Sequence, residues 1–249
     1  MILLNQLKRG THKVESSDHV APLFHSFPSG YYLVSISGES GLGKTTLALQ
    51  LVGNILTSEA SFSGQCVWVQ ASEAFPLQRL CSLYSKDSIK LSYLKKHIFV
   101  IPTTGPFSIY NAQQEVLHSF SNCVFPPELK VIVIDNISHH LRYHLMQQED
   151  LSVRSRIVDQ FYTEQLYPLV MRCLREEIFL VLIHEVSYNV REGSTKPFFY
   201  RLYEQLDMIS IILSKSLPPE KRIIIVKHPS SNWEVSHTYK LTSQGVVML

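Results

Sequence analysis

The chain has 249 residues, 45% of them hydrophobic, 10% aromatic and 18% charged, and its 23 basic and 21 acidic residues leave a formal net charge of +2. That length supports a substantial buried core without disulfides or metals, and that composition excludes wholesale disorder. The near-balanced charge excludes a uniformly basic nucleic-acid coat but not a local basic loop, and the longest apolar runs, such as Val131–Ile134 and Ile178–Ile183, are too short to span a bilayer.

Residues 1–28 show no strong period and read as a lead-in that packs on the core. The chain does not open with the charged-then-apolar order of a signal peptide. An intracellular location is expected, nuclear in a eukaryote and cytoplasmic otherwise, with no membrane partner. Cys66, Cys81, Cys123 and Cys173 are then reduced thiols, and no two of them sit at metal-ligand spacing.

Residues 29–249 read as one α/β core. The β-rich run Tyr31–Ser37 ends at Gly38, and a helix is expected from Gly43 to Leu56. A strand over Cys66–Ala71 precedes a helix over Pro76–Tyr84, where Pro76 suits the first turn. A strand over His97–Ile101 and a helix over Asn111–Phe120 follow. The run Lys130-Val-Ile-Val-Ile-Asp135 is apolar until its acid, as in a central parallel strand covered on both faces. One long helix over Leu151–Glu176 leads into a second such strand, Ile178–Ile183. Met208–Leu213 and Arg222–Lys227 form a hairpin-like pair, and a last strand lies near Thr238–Leu241. Strands alternating with helices, then strands alone, predict an α/β fold: a mainly parallel sheet flanked by helices, with an antiparallel C-terminal edge.

The strongest chemical signal is Gly38-Glu-Ser-Gly-Leu-Gly-Lys-Thr45, a G-x-x-x-x-G-K-[ST] loop between a predicted strand and a predicted helix. Gly38, Gly41 and Gly43 let the backbone turn its N–H groups around a phosphate. Glu39, Ser40, Leu42 and Thr46 complete the stretch that would bind the nucleotide. The helix aims its positive end at the same place. Lys44 adds a point charge for the β- and γ-phosphates, and Thr45 offers a hydroxyl to Mg²⁺. Asp135, ending an apolar strand, is the second acid that such a loop needs to hold the metal. ATP and Mg²⁺ are therefore the expected cofactors.

The P-loop, the segment through Ala74-Phe-Pro-Leu-Gln-Arg-Leu80, the Val131–Asp135 strand and the Val181–Val186 strand occur in the order of the RecA/RadA recombinase core. From about Leu23 onward the chain resembles that family, and most of all RadB and the eukaryotic recombinase paralogues. The resemblance implies a RecA-like P-loop ATPase core, a role in DNA recombination and repair, single-stranded DNA binding, and a second recombinase or paralogue subunit as partner. It also leaves no room for the N-terminal helical domain of full recombinases.

Carried over residue by residue, the resemblance is uneven. Arg79 falls where the family stacks an arginine on adenine; otherwise it is an exposed helix charge. Ungapped matching puts Ser72 at the family's catalytic glutamate, with Glu73 one place later, so Glu73 serves as base only if the loop shifts. A hydroxyl is no general base at neutral pH without help. Where the family ends its fourth strand on a polar Asn-Gln pair, whose glutamine senses the γ-phosphate and opens the second DNA-facing loop, this chain has His184-Glu185. A carboxylate about 4 Å from a phosphate costs on the order of 4 kcal/mol at an effective dielectric near 20. Either Mg²⁺ and Lys44 offset that, or Glu185 points away; His184 is a polar-site residue or a core-edge histidine. These departures predict slow or absent hydrolysis, with Lys44 and Glu73 as the catalytic candidates.

Residues Asn136 to Asp150 and Ser187 to Tyr200 correspond to the family's two DNA-facing loops. The first holds His139, His140, Arg142 and His144; the second holds Arg191, Lys196, Phe198 and Phe199, with Arg201 just past its end. That mixture suits single strands, through phosphate pairing and base stacking; the alternative is solvated polar loops with the phenylalanines turned inward. Lys227, ending a C-terminal strand, is either a cation reaching a neighbour's nucleotide or a surface lysine. Three functions compete: an ATP-binding recombination accessory protein, an active DNA-dependent ATPase or strand-exchange enzyme, and a KaiC-like signalling ATPase without DNA.

Overall fold

In a computed structural model the described residues are 30–58, 61–189, 194–215, 221–228 and 233–249, with Val20, Leu23, Phe24 and Phe27 before them. The chain begins with β1 (Leu33–Gly38), α1 (Lys44–Thr57) and β2 (Gln65–Gln70). Then come α2 (Leu77–Leu83), α3 (Ser88–His97), β3 (Ile98–Ile101), α4 (Tyr110–Ser119) and β4 (Leu129–Asp135). The next stretch holds α5 (His139–Met146), α6 (Leu151–Phe161), a π-helical turn (Tyr162–Leu166), α7 (Tyr167–Arg175) and β5 (Phe179–His184). A small hairpin, β6 (Val186–Asn189) and β7 (Ser194–Pro197), precedes α8 (Tyr200–Tyr203). The chain ends with β8 (Ile209–Lys215), β9 (Arg222–Lys227), β10 (Glu234–Thr242) and β11 (Gly245–Met248).

Among the described residues one sheet runs β11-β10-β9-β8-β1-β5-β4-β2-β3. From β8 to β3 the strands are parallel, and from β8 to β11 successive neighbours are antiparallel. The predicted α/β class, with its parallel centre and antiparallel C-terminal edge, is what the chain adopts. Alternate residues of each strand face opposite sides. Val131 and Val133 pack with Ile36, Trp68 and Ile183 beneath Leu47, Leu51 and Leu56 of α1. Ile132 and Ile134 pack with Val69 and Leu182 beneath Leu117, Leu141, Phe161 and Leu169. Burial on both faces is why β4 and β5 read as unbroken apolar runs rather than alternating ones. Val20, Leu23 and Phe24 are buried in the first of these cores; most of the expected lead-in lies outside the described residues. No helix among the described residues is long and apolar enough to cross a membrane.

The helix expected over Leu151–Glu176 forms, running without a break from Leu151 to Arg175 with the π turn inside it. Pro168 has no N–H to give the Glu164 carbonyl, and the chain widens just before it, with Tyr167 N–H donating to the Tyr162 carbonyl. His118 Nδ1 lies 3.4 Å from that Glu164 oxygen. The loop expected over Asn136–Asp150 contains α5, because Leu141 and Leu145, four apart, are buried on one face. The loop expected over Ser187–Tyr200 contains the β6–β7 hairpin, and α3, α8 and β11 lie where the sequence pattern predicts no element. The Asp87 carboxylate caps α3 by accepting from Lys90 N–H at 2.9 Å.

Candidate functional site

The C-terminal ends of β1, β4 and β5 meet at one edge of the sheet, where open α/β sheets bind ligands. A cleft of about 530 Å³ lies there, lined by Gly38–Gly41, Gly43–Thr46, Ser72, Glu73, Asp135, Asn136, Arg142, Glu185, Val186 and Leu241. The loop is held by its glycines. A Cβ on Gly38 would stand 2.5 Å from the backbone oxygen of Leu213 on the neighbouring β8. Gly43, at φ 95°, makes the left-handed turn into α1. Leu42 is fully buried and does not line the cleft; its carbonyl accepts a hydrogen bond from Tyr239 Oη at 2.8 Å, tying the loop to β10.

Lys44 Nζ donates to the carbonyls of Gly38 (2.9 Å) and Glu39 (3.1 Å). Burial lowers its pKa, while Asp135, Glu185 and Glu73 push it back up. Thr45 Oγ1 donates to Asp135 Oδ2 at 2.8 Å. The Thr45 oxygen thereby keeps its lone pairs for a hard cation, with the carboxylate behind it. Burial raises the Asp135 carboxyl to about 6; the Thr45 hydrogen bond and Lys44 oppose the rise, and Glu73 adds to it. Glu39, Glu73, Asp135 and Glu185 face the cleft against the cations Lys44 and Arg142. A polyphosphate fits such an acidic cleft only together with a divalent cation, which Thr45 and Asp135 would hold.

After β2, the N–H groups of Ala71 and Ser72 both donate to the Asp135 carbonyl, at 2.7 and 3.2 Å. The turn is pinned, and Glu73 lines the cleft beside Ser72, its charge acting on both Lys44 and Asp135. His184 is a core residue: it is fully buried, its ring is 4.3 Å from that of Tyr203, and burial lowers its pKa to about 3. Glu185 does face the cleft, but paired. Its Oε2 accepts from Arg142 Nη1 at 3.1 Å and its Oε1 lies 3.2 Å from His139 Nδ1.

Arg142, expected on a DNA-facing loop, thus stands on α5 with its guanidinium at this cleft. Arg79 does not line the cleft. Its Nε donates to Thr46 Oγ1 at 3.1 Å, and its two terminal nitrogens donate to the carbonyls of Ser243 and Thr242, at 3.2 and 2.7 Å. These in-plane bonds tie the β10–β11 turn to α1 and leave the guanidinium faces for stacking. Lys196 and Arg201 line a separate groove of about 400 Å³ with Phe198, Phe199 and Tyr200. Phe199 also packs partly on the core, and Lys196 Nζ lies 4.1 Å from the Tyr200 ring and 3.9 Å from Glu204 Oε1. Arg191 lies outside the described residues. Lys227 is half-exposed, its Nζ 2.9 Å from Glu234 Oε2. Sequence reasoning missed Asn136, Val186 and Leu241 as cleft residues. Position next to Asp135 or Glu185 would have suggested the first two; nothing local marks Leu241.

No family model matches the chain. It is 32% identical to the DNA repair protein RAD57 of Saccharomyces cerevisiae over 165 residues, which are 64% of this chain but 32% of that protein. It is 24% identical over 220 residues to the DNA repair and recombination protein RadB of Methanococcoides burtonii, covering 88% of this chain and 90% of the other. The DNA repair protein rhp55 of Schizosaccharomyces pombe is 22% identical over 74% of this chain and 54% of its own length. The chain thus spans about a third of the RAD57 relative and about half of rhp55. The crystal structure of a RadB recombinase superposes with a TM-score of 0.66, at 19% identity, over 88% of this chain and 91% of that one. Taken with the P-loop and its Thr45–Asp135 pair, these likenesses show a RecA-like core and a chain similar to RadB and to the eukaryotic recombinase paralogues RAD57 and rhp55.

Proposed function

We propose that the chain is an ATP-binding recombinase paralogue of homologous recombination and DNA repair, acting beside another RecA-like subunit. The observation that carries this is the Thr45 Oγ1–Asp135 Oδ2 contact of 2.8 Å inside a cleft rimmed by the glycine loop. When bound, Mg²⁺ would screen the phosphate charge. The chain's own residues do the rest: loop N–H groups and Lys44 hold phosphates, Thr45 and Asp135 hold the cation, and the open faces of Arg79 offer a stacking surface for the base. Glu39, Ser40 and Gly41 are exposed, so a neighbouring subunit is needed to exclude water from that side. Lys227, placed at the end of β9, is the cation the chain would offer in return to a neighbour's nucleotide. The Lys196–Arg201 groove, basic beside aromatic, supports single-stranded DNA binding. Nuclear location in a eukaryote follows from such a role.

Hydrolysis is slow in this reading, since Ser72 occupies the catalytic glutamate's place. A second reading, an active DNA-dependent ATPase, is favoured by one observation: Glu73 already lines the cleft, close enough to act on Lys44 and Asp135. Calorimetric titration with ATP and Mg²⁺, followed by steady-state ATPase assays with and without single-stranded DNA, tests both. Binding without appreciable turnover supports the paralogue reading, DNA-stimulated turnover supports the second, and no binding rejects both. Co-purification with a recombinase or paralogue from source extract tests the partner.

A further inference from the structure

The peptide between Leu42 and Gly43 has one side in the core and the other in the cleft: Leu42 is fully buried, and Gly43 lines the cleft. The bond is trans, so its carbonyl and its N–H lie on opposite edges of one rigid plane. Whatever fixes the carbonyl therefore aims the N–H. Tyr239 Oη fixes the Leu42 carbonyl from the core side, at 2.8 Å. The Gly43 N–H then points away from Tyr239, to the cleft side, and among the described residues no backbone carbonyl accepts from it. The left-handed φ of 95° at Gly43 lets the chain enter α1 from that orientation.

Tyr239 can hold a carbonyl because its own place is rigid. It is buried on β10, with Arg222 of β9 paired on one side and Met248 of β11 on the other. Two residues on, Leu241 faces the same way. A Cβ on Gly43 would stand 3.0 Å from Leu241 Cδ1 and 3.6 Å from Val246 Cγ2, so the β10–β11 hairpin also backs the turn by contact. The hairpin is fastened again further along α1. There Gln50 Nε2 donates to the Val246 carbonyl at 3.2 Å, and Gln50 Oε1 accepts from Val246 N–H at 2.9 Å. Burial pushes the Tyr239 hydroxyl up to about 12, against the opposing charge of Arg222, so it stays a donor at working pH.

We propose that Tyr239 is a positioning residue of the phosphate loop: its hydroxyl, braced by the β10–β11 hairpin, locks the Leu42–Gly43 peptide so that the Gly43 N–H is aimed at a bound phosphate. This rests on the reading of the cleft as an ATP site. Tyr239 itself touches no ligand. Without its hydroxyl, the Leu42 carbonyl is left unpaired in the core. The peptide then gains by rotating toward water, and the rotation takes the Gly43 N–H off the phosphate. The loss falls on the phosphates that ATP and ADP share, not on the terminal one.

The test is calorimetric titration of ATP and of ADP, each with Mg²⁺, into the full chain and its Tyr239→Phe and Tyr84→Phe variants. Tyr84 supplies the control: its Oη donates to another α1 carbonyl, that of Leu49, at 3.4 Å, away from the loop. Tyr239→Phe should weaken ATP and ADP alike, by about tenfold, the scale of one buried hydrogen bond. Tyr84→Phe should leave both affinities unchanged, even where it lowers the melting temperature. In the ¹⁵N-labelled native chain, the Gly43 amide resonance should move on addition of ADP and Mg²⁺. Equal affinities in the native and Tyr239→Phe chains, or equal weakening by the two variants, overturns the proposal while the ATP site stands. So does a Gly43 amide that stays unmoved while the nucleotide binds, a result that needs no variant to fold. A native chain that binds neither nucleotide overturns the ATP site and the proposal together.

Discussion

Replacing His184 with leucine should remove much of the acid sensitivity of the fold. His184 ends β5, is fully buried, and has no hydrogen-bond partner for either ring nitrogen among the described residues. Its contact is the Tyr203 ring at 4.3 Å, which accepts a neutral imidazole without cost. A charged imidazolium there would lose its hydration, and burial accordingly moves the pKa from 6.5 down to about 3. The sign follows from linkage. Above 6.5 both the folded and the unfolded chain hold a neutral ring, and stability is intact. Below 6.5 the unfolded chain takes up a proton that the folded chain refuses, so stability falls as pH falls, until the folded ring itself protonates near 3. Each pH unit costs about 1.4 kcal/mol, so acidification to pH 5 removes about 2 kcal/mol. Asp135, raised to about 6, works the other way below that pH. It does so equally with histidine or leucine at position 184, and it cancels in the difference.

Urea unfolding at pH 7.5 and pH 5.0 measures this directly, read as the change in free energy for each chain. The native chain should lose about 2 kcal/mol more than His184→Leu between the two pH values. His184→Met, another apolar replacement of similar volume, should match the leucine chain if the ring's titration is the cause. Parallel losses in all three chains would refute the reasoning, because they would mean that position 184 takes up no proton on unfolding that it had refused when folded.

Four shorter predictions concern the cleft. Lys44→Ala should weaken ATP binding about tenfold or more in calorimetry, with an unchanged circular dichroism spectrum, since the lost ammonium offsets phosphate charge. Asp135→Asn should reduce the Mg²⁺ dependence of binding more than the metal-free affinity, because the neutral amide still accepts from Thr45 but no longer attracts the cation. Gly38→Ala should destabilise the fold by about 1–3 kcal/mol, seen as a melting temperature lower by several degrees, because β1 and β8 must part to admit a Cβ 2.5 Å from the Leu213 oxygen. Glu73→Gln should abolish whatever turnover the chain has, whereas Ser72→Glu should raise it; turnover indifferent to both would remove this turn from the chemistry.

The parts of the site that were legible are those built from local backbone demands. The spacing of Gly38, Gly41 and Gly43 before Lys44 marks a phosphate loop because only that spacing turns the N–H groups inward. Asp135 stands out because an acid ends a strand that is otherwise buried on both faces. The parallel centre was legible for the same reason: β4 and β5 leave no polar face. What stayed hidden depends on residues far apart in the chain. α5 has three histidines in eight residues and only two well-buried leucines, so its period is weak, and its helical state comes from packing against Ile137 and Phe161 in the second core. Nor could Arg79 be read as the clamp on the β10–β11 turn, since its acceptors are 163 and 164 residues away.

Glu185 shows why the distinction matters for function. Read alone, a carboxylate at the end of β5 opposes a phosphate, and the sequence offered only two ways out: compensation by Mg²⁺ and Lys44, or a side chain turned away. The folded chain takes neither in full. Glu185 faces the cleft, and its charge is shared between Arg142 at 3.1 Å and His139 at 3.2 Å, both from α5, some 43 and 46 residues earlier. An acid already bonded to a guanidinium opposes an incoming phosphate less than a free carboxylate would. Helix α5, where the sequence pattern predicts only a loop, supplies both partners, so it is the place of Arg142 on that helix, not its charge alone, that brings it to Glu185.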